Sequence, residues 1–345
     1  MTRLARAARA VRLGAFRAVR LGAAVTALMA AAAAGARAAQ DEIVPAGVWR
    51  VQVELAARTE DTAFDTSGEE GPLLNLLVPS ETVRASLSGE VVRDVRRADL
   101  LLGYGLSDTW SLVLQVPYVQ IRQTSTLANT GAPDADVDAA VARLQSREVS
   151  GLGALRLGSL HRTVFSDRHA FTYGLGVVQP LSRAASPWAG RGTLLLDVPT
   201  TRLYGNLHYT YYPIGRRDRL EVRGEAGIAF TKHLELASPT GTSGQVVPGN
   251  DIGGYLGWGR ELGPLSTDVG LRLFRQARSE IDGDGQGDTA SETALRLAAG
   301  FGNLSRLEQG PVAFPFQAQF VVESTVSGSS VPARVEARVG LKFYF

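Results

Sequence analysis

The sequence predicts an all-β fold, a transmembrane antiparallel up-and-down β-barrel of about twelve strands. Three observations lead there. Apolar and polar residues alternate through most of the chain, and the polar face of the alternating runs is charged. After residue 38 no apolar stretch approaches the about 18 residues that a membrane helix needs.

The first element is an export signal. Arg3, Arg6, Arg9, Arg12, Arg17 and Arg20 form a long positive region, Leu21 to Ala34 an apolar one, and Ala36-Arg37-Ala38 a small-x-small cleavage site. This divides the chain into a cleaved signal over 1–38 and one barrel domain over 39–345. The chain carries a formal charge of +2, but seven of its basic residues lie in the signal. The remainder has 29 basic against 34 acidic residues, about −5, so nucleic acid is not an expected partner. With no Cys, the chain has neither disulfides, nor thiolate metal sites, nor a lipoprotein anchor.

The strand pattern is clearest at the C-terminus. Ala333, Val335, Ala337, Val339, Leu341, Phe343 and Phe345 share one face, and Arg334, Glu336, Arg338 and Lys342 the other. Trp49, Val51, Val53 and Leu55 oppose Arg50, Gln52, Glu54 and Arg58 in the same way. A charge on the lipid face of a barrel costs about 2–4 kcal/mol at the bilayer midplane, so the charged faces must point inward. Strands are predicted over 47–59, 82–104, 109–124, 150–164, 169–181, 192–213, 218–235, 250–260, 265–277, 291–302, 312–325 and 332–345. Short turns then alternate with long loops, which puts both termini on the periplasmic side. Pro199 sits inside the sixth segment, which is read as one bent strand. In the second strand the apolar parity changes from Val83, Ala85 and Leu87 to Leu100 and Leu102, which predicts a bulge near 88–97. Ala135 to Gln145 has the spacing of a short amphipathic helix within a loop.

The inward positions carry Arg50, Arg58, Arg156, Arg162, Arg219, Arg223, Arg272, Arg296, Arg334, Arg338 and Lys342 against Glu54, Glu221, Glu225, Asp268, Glu292, Glu323 and Glu336. This excess of cations favours anionic solutes in the lumen, unless arginine and glutamate simply pair and fill a narrow barrel. In the loop from Asp282 to Asp288, Asp282, Asp284 and Asp288 offer oxygens at the spacing of a calcium loop. The twelfth position is Thr293, however, with Glu292 one residue early, so an ordinary Asp/Gly turn is the alternative, and no other cofactor is implied. His161, His169, His208 and His233 fall in no catalytic motif, and His208 faces inward beside Tyr204 and Asn206; no enzyme activity is expected. Trp49, Tyr104, Trp110, Tyr118, Tyr209, Tyr211, Trp258, Phe314, Phe316, Phe343 and Phe345 fit interface girdles.

The hairpin Leu101 to Trp110, with Tyr104-Gly105-Leu106-Ser107-Asp108, continues into Leu112 to Val119 with Pro117-Tyr118. It resembles a motif of outer-membrane barrels grouped as phenol meta-pathway transporter-like, which are distantly similar to the fatty-acid transporter barrels. The segment Gly151 to Gly158 resembles the next strand of that family, with Ala154 where an acidic residue is usual. The motif resemblance covers about residues 82–213. It implies a porin-like barrel in the outer membrane of a Gram-negative cell, passing small hydrophobic or aromatic compounds. An anion-preferring channel and a closed structural or surface-interaction barrel are the alternatives. The C-terminal Leu341, Phe343 and Phe345 resemble the signal read by the barrel assembly machinery. Expected partners are thus that machinery, outer-membrane lipid with lipopolysaccharide, and a small solute. Because the strand pattern begins within about ten residues of the cleavage site, no plug of the fatty-acid transporter kind is expected ahead of it.

Overall fold

The computed structural model describes residues 43–78, 80–132, 134–166, 168–181, 200–213, 217–230, 232–235, 243–247, 249–281, 284–286, 289–303 and 315–345. The predicted signal over 1–38 lies outside them. Twelve long strands form the barrel: β1 (Trp49–Phe64), β2 (Val91–Gly105), β3 (Trp110–Ser125), β4 (Ala154–Ser166), β5 (His169–Pro180), β6 (Arg202–Tyr211), β7 (Asp218–Ala229), β8 (Asp251–Leu262), β9 (Leu265–Gln276), β10 (Ala290–Gly302), β11 (Phe316–Ser329) and β12 (Val331–Tyr344). Each pairs antiparallel with the next, and β1 pairs with both β2 and β12, so the ring is closed. Closure runs from Arg50↔Tyr344 to Phe64↔Val331 with one bulge between Glu60 and Thr62. Reciprocal bonds between Trp49 and Phe345, 3.0 and 2.9 Å, lock its lower end. In lipid such closure is obligatory, because an open edge leaves backbone groups without partners.

Side-chain alternation follows the ring. On β1 the even positions from Arg50 to Glu60 point inward, while Trp49, Val53 and Leu55 are exposed. Leu55, Leu175, Leu256 and Leu273 are more than half exposed, which is stable only against hydrocarbon. The bulge predicted near 88–97 is absent: β2 runs from Val91 in unbroken register with both neighbours. Glu81–Ala85 is a short helix instead, so the parity of Val83 and Ala85 never belonged to the strand. Likewise β6 starts at Arg202, beyond Pro199, and β7 stops at Ala229 short of the predicted 235. Arg147–Leu152, which overlaps only the start of the predicted 150–164 segment, pairs with β3, and a break follows at Gly153, whose N–H donates to the Pro117 carbonyl at 2.9 Å.

Two features narrow the barrel ends. At the short-turn, periplasmic end a strap of residues 43–48 lies across the inward face of β2 and β3. The Ser111 hydroxyl accepts from Val44 N–H at 2.8 Å, and Val44 is fully buried beside Gly103. A side chain at Gly105 would overlap the Pro45 carbonyl, so the strap depends on that glycine. Ahead of the first strand, six described residues turn back into the mouth, too few to leave a periodic signal.

At the outer end, helix α1 (Leu73–Leu77) packs Leu73, Leu74 and Leu77 against inward Ala63 and Val91 and against Ala140 and Leu144. Helix α2 (Glu81–Ala85) follows α1 in the same loop, capped by Ser80. Helix α3 (Ala135–Arg143), predicted over nearly the same residues, is capped by Asp134. Its C-terminal end is pinned by buried, inward Gln123, whose amide donates to the carbonyls of Leu144 and Gln145 at 3.0 and 3.1 Å. Gly105→Ala is expected to expel the strap while leaving the ring closed. Single-channel conductance should rise, and the heat-modifiable gel shift of a folded barrel should persist.

Candidate functional site in the charged lumen

Between the strap and the outer helices lies a cavity of about 520 Å³ at mid-barrel. Of the predicted lumen residues, Glu54, Arg58, Arg156, Arg223, Glu225, Arg272, Arg296, Arg334, Glu336 and Arg338 line it. Arg50, Arg219 and Glu221 are buried in the wall, and Lys342 lies near the end of β12 on the same inward parity. Glu323, inward as expected, lines it too, as do Arg97, Asp99, Gln115, Asn206, His208 and Tyr255.

The ions are arranged in depth. Glu221 is wholly buried and holds Arg219 at 2.5 Å and Arg223 at 2.6 Å, yet the Arg223 side chain is 40% exposed. Glu323, 5% exposed, holds Arg272 at 2.8 Å, and Arg272 is 27% exposed. Glu336 holds Arg58 at 2.8 Å and also pairs with Arg338. Glu292 takes Arg334 at 3.1 Å and Arg272 at 3.6 Å, and Asp99 takes Arg97 at 2.7 Å and the Gln115 amide at 2.7 Å. Carboxylates are short and sit at the wall; guanidinium groups on longer stems reach past them to water. The surface that a solute meets is therefore more cationic than the count of charges implies.

Tyr255 narrows one side. Its ring lies on Gly257 and Gly270, where any side chain would collide with it. Its hydroxyl donates to Asp268, and Arg223 and Arg296 stand over the ring with Cζ 5.3 and 5.8 Å from its centroid. Alternating Gly253, Gly257 and Gly259 on β8 could have pointed to this aromatic, since glycines on an inward face leave room for a neighbour. Arg97 and Asp99 escaped the lumen set because β2 bears charges on both parities at its outer end, Asp94 and Arg96 opposite Arg93 and Arg97.

His208 is buried near Thr210 at 3.2 Å and Glu221 at 3.7 Å, and both contacts use Nε2. A nucleophile–base–orienter relay needs opposite ring nitrogens, so these three groups do not form one. Among the described residues no cluster of three or more His, Asp or Glu is placed to hold a metal. Asp282 and Asp288, and the side chain of Asp284, fall outside the described residues, so the calcium expectation does too. Leu341 and Phe345 are exposed and Phe343 half-buried at the lower end of β12. Most of the expected aromatics gather at that end, with Trp49 and Tyr104 4.8 Å apart and Phe301 and Phe316 5.8 Å apart. His161 joins them between Trp110 and Tyr173 at 4.4 and 5.1 Å. Phe314 lies outside the described residues.

Replacing Glu221 with Gln takes the nearest carboxylate from buried Arg219 and from Arg223, and is expected to cost about 3–5 kcal/mol of stability. Glu54→Gln, whose partner Arg338 is 3.9 Å away at a wetter position, is expected to cost under about 1 kcal/mol. Urea unfolding in lipid vesicles measures both.

No family model and no curated protein matches this sequence. Among solved structures the chain is similar to an outer-membrane channel from Pseudomonas putida F1, with 17% identity and a TM-score of 0.64 over 90% of this chain and 99% of that one. It is also similar to the β-domain of the Bordetella autotransporter BrkA, with 13% identity and a TM-score of 0.43 over 87% and 100%. A FadL homologue from Pseudomonas aeruginosa gives 9% identity and a TM-score of 0.38 over 86% and 90%. The first likeness, with the closed ring and its apolar outer face, makes this chain a β-barrel of the bacterial outer membrane.

Proposed function

We propose that the protein is a narrow outer-membrane channel for small solutes, and that its lumen favours anions. The observation that carries this reading is the layering of the ions. Buried Glu221, Glu323 and Glu336 anchor Arg223, Arg272, Arg58 and Arg338, whose cationic ends project toward the cavity. A low-dielectric wall concentrates that field along the axis, where it lowers the energy of a passing anion. The P. putida structure, described as that of an outer-membrane channel, agrees with the general role.

Passage of small hydrophobic or aromatic compounds is the second reading. It is favoured by the hairpin resemblance over Leu101 to Val119. We also propose that Leu341, Phe343 and Phe345 serve as the assembly signal, on the strength of their place at the end of the closing strand.

Recording in a planar bilayer under a potassium chloride gradient tests the main reading. The expected reversal potential has the sign of chloride preference, and Arg223→Gln with Arg338→Gln should move it toward zero. A cation-selective potential contradicts the reading, whereas a silent folded barrel favours hydrophobic passage or a structural role.

A further inference from the structure

Arg156 differs from its neighbours in the cationic belt. Arg58, Arg97, Arg223, Arg272, Arg296, Arg334 and Arg338 each have a carboxylate within 4.0 Å. Among the described residues Arg156 has none, and its buried Nε has no hydrogen-bond partner. A guanidinium at the cavity wall with no carboxylate beside it leaves its charge to be balanced by a solute or by water.

The register partners of Arg156 are uncharged. Gln115 is its register partner on β3 and Val178 its partner on β5. The Tyr204 ring lies flat over Gly158 and Gly176, where no side chain fits, and so leaves the space beside Arg156 to the cavity. Asn206 and His208 line the same cavity. The one acid close in register, Asp99, is already held by Arg97 and Gln115. Glu225, register partner of Asn206, is exposed to the cavity farther along the wall.

We infer that Arg156 is the centre of a binding subsite for small organic monocarboxylates. The inference rests on the anion-favouring reading and names the solute class. The guanidinium edge formed by its two terminal N–H groups matches two coplanar oxygens, which is the geometry of a carboxylate. A single cation flanked by neutral side chains balances one negative charge and not two, so inorganic phosphate is a poorer fit. Glu225 adds a like charge to the same cavity, which disfavours dicarboxylates.

Trifluoroacetate is a suitable probe, read by fluorine NMR with the refolded barrel in detergent micelles and trifluoroethanol as the neutral control. The expected result is selective broadening of trifluoroacetate that acetate reverses and that equimolar phosphate or succinate reverses at least fivefold less well. Arg156→Gln should weaken the effect about tenfold, and Arg156→Lys should restore part of it. Equal broadening with Arg156→Gln, equal competition by phosphate, or no broadening of the wild-type signal overturns the inference. This readout does not need an open pore. A chloride-selective channel whose trifluoroacetate binding ignores Arg156 defeats the subsite alone, whereas loss of chloride preference defeats the underlying reading.

Discussion

The interaction on which the rest of this barrel depends is the buried carboxylate–guanidinium pair at the inner wall. Twelve strands enclose too little space for bulk water to solvate every inward charge, so each must find a partner or reach the axial water. Glu221 and Glu323 do the first; Arg223 and Arg272 do the second while still anchored. The same pairing that makes a polar interior tolerable therefore sorts its charges by depth. Removing the acids would strand the arginines, and removing the arginines would leave buried anions.

Glycine placement complements this layering. Inward Gly257 and Gly270 accept the Tyr255 ring, and Gly158 and Gly176 accept that of Tyr204. The lumen is thus shaped by flat rings on bare backbone between clusters of charge. At the ends the chemistry changes: Val44 closes in below, and leucines of α1 pack above. Along the axis a solute passes the loop helices at the outer mouth, then a cationic belt, then the strap.

Much of this was legible in the sequence because lipid imposes a strict rule. Along β1, β7 and β12 a charge at one parity and an apolar residue at the other had a single consistent placement, and Arg58, Arg223 and Glu336 were found that way. Legibility failed where the rule lapses. The outer part of β2 bears charge on both faces, so Asp99 and Arg97 were not recognised as lumen residues. Residues 81–88 carry apolar residues at strand-like spacing but form a helix and a short loop pairing, because their apolar contacts are with the loop cluster. The strap is too short for periodicity to register, and its position depends on Gly105 and Ser111, sixty or so residues away in sequence. Partner choice among ions, such as the solitary state of Arg156, depends on distances that spacing does not encode.

The central claim is that the belt presents cationic groups to water at mid-barrel. The chain has no cysteine, so Asn206→Cys gives a single reporter on the cavity wall. Its modification rates by an anionic and a cationic methanethiosulfonate, each normalised to a free thiol, compare the local potential directly. The account predicts that the anionic reagent reacts severalfold faster and that added salt shrinks the difference. A faster cationic reagent, equal rates, or a reporter that neither reagent reaches would contradict it.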